Sequence, residues 1–201
     1  MTKIKLCGMR RVIDIQAANA LKAEFIGFVF WPKSKRRVTA EEAAELKSIL
    51  DPDISAVGVF VDEQPETVAE LLNRGVIDIA QLHGSEDESY IRHLRTLTNK
   101  PLIKAFRIRE QKDLEAAAVS SADAVLLDAG KGDGVTFDWN LLRDFARPYF
   151  LAGGLSPENV SAAIEKLHPY AVDVSSGIET NGAKDAEKMA AFVKAVRKET
   201  L

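Results

Sequence analysis

Short apolar segments alternate with helix-like segments along the whole 201-residue chain, and no other feature restricts its fold as strongly. Eight segments read as strands: residues 3–7, 25–30, 55–60, 78–82, 102–106, 124–128, 149–152 and 171–174. They are rich in Val, Ile and Phe, as parallel strands are when helices cover one face and a core covers the other. Helix signals lie between them. Thr39-Ala40-Glu41-Glu42 and Ser85-Glu86-Asp87-Glu88 both fit a capping box. Val160, Ala163, Ile164 and Leu167 make one apolar stripe, Met189, Phe192, Val193 and Val196 another, and a first helix falls between Arg11 and Ala23. Strict alternation demands a parallel sheet, and eight units close into a barrel more readily than they spread into an open sheet. The expected fold is α/β, a single-domain (β/α)8 TIM barrel over residues 1–201, with the last strand beside the first. At about 25 residues per unit the barrel is near its lower size limit, so its loops must be short.

Composition enters by exclusion. An apolar fraction of 46%, a charged fraction of 28% and a net charge of −3 describe a soluble globular domain without the basic surplus that nucleic acid requires. No apolar run reaches membrane-spanning length, and the N-terminus enters strand-like sequence directly, so the expectation is a cytoplasmic enzyme. Cys7 is the only cysteine, so no internal disulfide is expected. No cluster has metal-ligand spacing and no GxGxxG or Walker motif occurs; neither metal nor nucleotide cofactor is expected.

The last two strand-like segments each break into small residues. Phe150-Leu151-Ala152 runs into Gly153-Gly154, with Ser156 placed as an N-cap and Pro157 at the first helical position. Ala171-Val172-Asp173-Val174 runs into Ser175-Ser176-Gly177. Small residues after a strand let backbone amides approach an anion, and paired turns of this kind after the last two strands form the phosphate site of many such barrels. Either turn alone is an ordinary strand-to-helix connection. Two of them, one βα unit apart, favour a phosphorylated small molecule as ligand.

Active sites of these barrels are built at the C-terminal strand ends. That rule selects Cys7, the loop Ser34-Lys35-Arg36-Arg37, Gln81 with His83, Arg107 and Asp128. Cys7 is either a small buried hydrophobe, as most lone cysteines are, or a thiol facing the barrel mouth. Asp128 closes the run Val125-Leu126-Leu127, where a carboxylate is solvated, paired or functional. An arginine at the mouth suits a substrate carboxylate in a bidentate pair. His83 is either a general base or a loop anchor.

Lys3-Ile4-Lys5-Leu6-Cys7-Gly8 is similar to the N-terminal KICG motif of the phosphoribosylanthranilate isomerase family. Gly27-Phe28-Val29-Phe30 with Pro32-Lys33-Ser34-Lys35-Arg36, Val57-Gly58-Val59-Phe60, Gln81-Leu82-His83-Gly84, Leu126-Leu127-Asp128, Thr136-Phe137-Asp138-Trp139, Ala152-Gly153-Gly154-Leu155 and Val172-Asp173-Val174-Ser175-Ser176-Gly177-Ile178-Glu179 follow in the family's order. Two departures are Arg10-Arg11 and a shortened Gly130-Lys131-Gly132-Asp133-Gly134 loop.

The resemblance implies an Amadori rearrangement of N-(5-phosphoribosyl)anthranilate to 1-(2-carboxyphenylamino)-1-deoxyribulose 5-phosphate, in tryptophan biosynthesis, without a cofactor. It further implies Cys7 as base, Asp128 as acid, Arg36 on the anthranilate carboxylate, and Gly153, Gly154, Ser175, Ser176 and Gly177 around the phosphate. Gln81 and His83 join the substrate-binding set; no metal ligand and no nucleic-acid or membrane partner is implied, and the chain is expected as monomer or homodimer. The thiol, with an ordinary pKa of about 8.5, supplies thiolate near neutrality, more so beside a cation. Indole-glycerol-phosphate synthase uses lysine and glutamate instead, and the dual-substrate sugar isomerases carry aspartate at the Cys7 position. An inactive phosphosugar-binding protein and a nucleic-acid binder through Lys33 to Arg37 complete the alternatives.

Alternation along a strand adds one more expectation. If Cys7 points inward so does Lys5, and if Ser175 points inward so does Asp173. The first and eighth strands are neighbours, and an unpaired buried charge is costly, so Lys5 and Asp173 should meet inside the barrel.

Overall fold

The computed structural model of the chain describes residues 1–129, 139–142 and 145–198. Its eight parallel strands are β1 Lys3–Cys7, β2 Phe25–Val29, β3 Ser55–Phe60, β4 Ile79–Leu82, β5 Leu102–Arg107, β6 Ala124–Asp128, β7 Tyr149–Ala152 and β8 Ala171–Val174. They pair in sequence order, and β8 returns to β1 to close the barrel. The expected strand limits are met to within one residue. Asp78 and Phe30 fall just outside β4 and β2, yet the Asp78 amide still donates to Ala56 O and that of Phe30 to Val59 O.

Seven α-helices are present among the described residues: α1 Val12–Leu21, α2 Ala40–Ser48, α3 Pro65–Asn73, α4 Glu88–Leu97, α5 Gln111–Val119, α6 Val160–Leu167 and α7 Ala186–Lys198. The described part of the crossover from β6 to β7 carries one 3-10 turn, Trp139–Leu142. After β8 come a 3-10 turn, Ser176–Ile178, and a two-stranded ribbon of β9 Glu179–Thr180 with β10 Ala183–Lys184. The 130–134 loop and the motif residues Thr136, Phe137 and Asp138 lie outside the described residues.

The Thr39/Glu42 box forms as expected, each side chain accepting the other's backbone amide. The Ser85 box does not form. The N-cap of α4 is Asp87, whose carboxylate accepts the Tyr90 amide at 2.9 Å. Ser85 instead donates its hydroxyl to Asp62, and Glu86 turns inward to Lys104 at 3.0 Å while accepting the amides of Asp62 and Gly84. Buried tertiary partners outbid a local cap here. Ser156 is likewise one turn early: its carbonyl accepts the Val160 amide, but regular helix starts at Val160, with Asn159 as N-cap. Asn159 knits the intervening turn, accepting from Ser156 N and donating to Gly154 O, both at 2.9 Å.

Alternation divides the strand residues between two cores. Ile4, Leu6, Ile26 and Phe28 join the helix-facing layer, together with the stripes of α6 and α7. Phe25, Val57, Ile103, Leu126, Phe150 and Ala171 fill the barrel interior. The Phe25 and Phe150 rings meet edge to face at 5.3 Å and plug its lower half. Residues two places further along several strands, Cys7, Val59, Asp128, Ala152 and Asp173 among them, line a cavity at the C-terminal mouth.

Candidate active site

The mouth cavity encloses about 250 Å³. Of the residues expected at a site, Cys7, Arg36, Gln81, His83, Asp128, Gly153, Gly154, Ser175 and Ser176 all line it. Arg107 ends β5 level with Asp128 but does not line it. Nor does Gly177. The role of Gly177 is to let the two small-residue turns touch: a Cβ there would lie 2.0 Å from the Leu155 carbonyl oxygen.

Cys7 closes β1 and is buried. Lys5 lies one layer below on the same face of β1, with Nζ 2.8 Å from Asp173 Oδ1. The expected cation is therefore present. Its effect is overridden in the free protein, because burial pushes the thiol up by more than Lys5 and Lys184 pull it down, and Asp173 adds to the rise. Lys5 itself remains an ammonium: burial opposes the charge, but Asp173 and Cys7 outweigh it and its pKa is raised.

On the opposite wall, Gln81 Nε2 lies 2.7 Å from His83 Nδ1, and His83 Nε2 lies 3.5 Å from Asp128 Oδ2. An amide that donates to Nδ1 leaves the ring proton on Nε2, facing Asp128. The Gln81 Oε1 atom is buried and, among the described residues, the only such side-chain oxygen or nitrogen without a hydrogen-bond partner. A buried acceptor in that state awaits a donor from the cavity.

The basic cluster separates by exposure. Lys33, Lys35 and Arg37 are exposed, while Arg36 turns inward. Its guanidinium grips Glu179 in a bidentate pair, Nε to Oε1 at 2.5 Å and Nη2 to Oε2 at 2.8 Å. Lys184 Nζ meets the same Oε1 at 2.6 Å and also donates to the carbonyl of Ser175 at 2.8 Å. Burial works against the Glu179 carboxylate, yet the hydrogen bonds from Arg36 and Lys184 hold its pKa at about 2. Lys184 is pulled down by its burial, and Glu179 counteracts that fall. Two cations on one carboxylate favour the ionised Glu179. Sequence reading missed this cluster. Glu179 stood inside a recognised motif, but Lys184 carries no local signal, since only the ribbon folds it back.

Small residues shape the remaining wall. Gly153 and Gly154 both have left-handed φ, 101° and 66°. The Ser175 hydroxyl is committed to the closing seam, donating to Cys7 O at 3.1 Å. Backbone, more than hydroxyl, is thus what this turn offers an anion.

A family model described as N-(5'phosphoribosyl)anthranilate (PRA) isomerase matches residues 4–195. The chain belongs to the PRA isomerase family. A curated relative of that name from Endomicrobium trichonymphae is 44% identical over 202 residues, covering 98% of this chain and 99% of the relative. A crystal structure of the Thermotoga maritima PRA isomerase superposes with a TM-score of 0.91 at 36% identity, covering 98% of this chain and 100% of that one. A PRA isomerase solved in complex with reduced 1-(o-carboxyphenylamino)-1-deoxyribulose 5-phosphate superposes at 0.88 with 37% identity, covering 98% and 100%. Among the described residues no helix is long and apolar enough to cross a membrane.

Proposed function

We propose that the chain isomerises N-(5-phosphoribosyl)anthranilate to 1-(2-carboxyphenylamino)-1-deoxyribulose 5-phosphate, in tryptophan biosynthesis, by proton transfer alone and without a cofactor. The observation that carries this reading is that Cys7 and Asp128, from strands one and six, line one cavity together with the Gly153-Gly154 turn and Ser176. An acid, a base and an anion cradle around one small volume are what an Amadori rearrangement of a phosphosugar requires.

In the proposed reaction Asp128 gives a proton to the ribose ring oxygen, the C1–O bond breaks, and the nitrogen lone pair forms a protonated imine. Cys7 thiolate takes the proton from C2, leaving a neutral enolamine whose tautomerisation moves the C2 hydroxyl proton to C1; exchange with solvent then returns Cys7 to thiolate and Asp128 to the acid. The amides around Gly154 and Ser176 hold the phosphate. Arg36 has five N–H donors and spends two on Glu179, so its outer edge is left for the anthranilate carboxylate. Gln81 Oε1 accepts from a sugar hydroxyl. His83 holds Asp128 in place. The ligand is a phosphorylated small molecule, and the site of action is the cytoplasm.

The test is turnover of N-(5-phosphoribosyl)anthranilate by the purified chain, followed through the fluorescence change of the anthranilate group. Steady conversion that responds to Cys7→Ala and Asp128→Asn supports the reading. Binding of the substrate without conversion would favour the inactive phosphosugar-binding alternative.

A further inference from the structure

Buried ion pairs are poor stabilisers: taking both charges out of water costs about as much as their attraction returns, and apolar replacements of similar volume are often as stable or more so. A fully buried Lys5 paired with Asp173 therefore calls for a reason beyond stability. The reason lies one layer above it. Residues two apart on a strand share a face, so Lys5 and Cys7 of β1 look into the same interior. An ammonium has three donors. One is spent on Asp173 Oδ1 at 2.8 Å, which leaves two for the interior that Lys5 shares with the Cys7 thiol.

We propose that Lys5, anchored by Asp173, is the positioning residue that stabilises the thiolate form of Cys7. The proposal rests on the reading of Cys7 as the base. Asp173 fixes where the ammonium sits, on the same inward face as the atom that must carry negative charge before each turnover.

The other groups around the sulfur do not replace Lys5. Lys184, from the ribbon, is spent on Glu179 and Ser175. Arg36, from the loop after β2, has two donors on Glu179 and its outer edge assigned to the substrate carboxylate. Asp173, from β8, acts against the thiolate directly while holding the cation that favours it. Asp128 and His83 face Cys7 from the far wall of the cavity. Burial raises the thiol, so a buried partner cation is the available means of keeping a thiolate fraction.

Cys7 is the only cysteine, so thiol alkylation reports on it alone. The experiment measures the rate of iodoacetamide labelling against pH, by intact mass, for the parent, Lys5→Met, Lys5→Arg, Asp173→Asn and the double variant Lys5→Met/Asp173→Asn, alongside the pH profile of kcat/KM. Lys5→Met should raise the labelling midpoint by about one pH unit or more, and Lys5→Arg should restore most of the shift. Asp173→Asn should lower the midpoint, because the ammonium then has the thiolate as its remaining counter-charge. A structural role alone gives no such opposition of sign. The double variant, which leaves no unpaired buried charge, should label with a raised midpoint even if Lys5→Met folds poorly. An unchanged midpoint in both Lys5→Met and the double variant, or a rise in Asp173→Asn, overturns the proposal. If the labelling midpoints move as expected while the kcat/KM profile stays fixed, Lys5 does hold the thiolate and it is Cys7's role as base that fails.

Discussion

Lys5 Nζ lies 2.8 Å from Asp173 Oδ1 across the seam where β8 closes on β1, with the lysine side chain fully buried and the aspartate 9% exposed. The two residues are register partners, Lys5 opposite Asp173, so the contact is set by the ladder itself. Removing either partner strands a buried charge, which typically costs about 3–5 kcal/mol. Lys5→Met and Asp173→Asn should each lose about that much in urea unfolding, and Lys5→Met/Asp173→Leu should recover most of it. Additive losses in the double variant would mean that the two charges are not coupled.

Cys7→Ala and Asp128→Asn should each reduce kcat by about 10²- to 10⁴-fold with the fold intact and substrate affinity little changed. Because burial raises the Cys7 thiol above its ordinary range, kcat/KM should still climb with pH beyond neutrality until the thiolate is fully formed. A folded Cys7→Ala enzyme within a factor of about ten of the parent would remove the thiol as base and make His83 the next residue to test.

Arg36 and Arg37 are adjacent, but only Arg36 lines the cavity. Arg36→Ala should lower kcat/KM by about 10- to 100-fold through loss of a charge-assisted pair, and Arg37→Ala by much less. Comparable losses at the two positions in steady-state kinetics would assign the carboxylate contact elsewhere.

Glu179 has its pKa depressed from 4.5 to about 2, against its burial, by Arg36 and Lys184. A carboxyl depressed by folding contributes stability that is complete above its unfolded pKa and disappears as pH falls through the folded one. Glu179→Gln should be less stable than the parent at pH 7, by on the order of 3 kcal/mol at most, with the gap narrowing from about pH 5 to about pH 2. Urea midpoints measured across that range decide it. A gap of constant size from neutral to acid pH would show that the carboxylate charge is not what matters.

Gly154 has a φ of 66°, and a Cβ built there meets nothing within 4 Å. A side chain at this position costs left-handed backbone strain of roughly 1–2 kcal/mol without any clash in the free protein. Gly154→Ala should keep the fold and raise KM by crowding the phosphate; Gly154→Val should do both harms more severely. A KM for Gly154→Ala equal to the parent's would move the anion site away from this turn.

The strands were legible because each is a short apolar run whose buried neighbours are supplied by the same repeating unit. Lys5 with Asp173 was also legible, since closure and period two together leave one partner for a buried lysine. Ser85 misled because its capping signal is local while Glu86 is recruited by Lys104 from another strand. Arg36, Glu179 and Lys184 converge from the loop after β2 and from the ribbon after β8, so no spacing in the chain announces their contact.

From sequence alone came the element order, the barrel and the face on which each strand residue sits, because these follow from alternation and helical periodicity over a few residues. Only the tertiary structure decided which arginine turns inward, what it grips, and how burial and neighbouring charges balance on Cys7. Those outcomes depend on desolvation and on distances between groups far apart in the chain, and neither quantity exists until the barrel has closed.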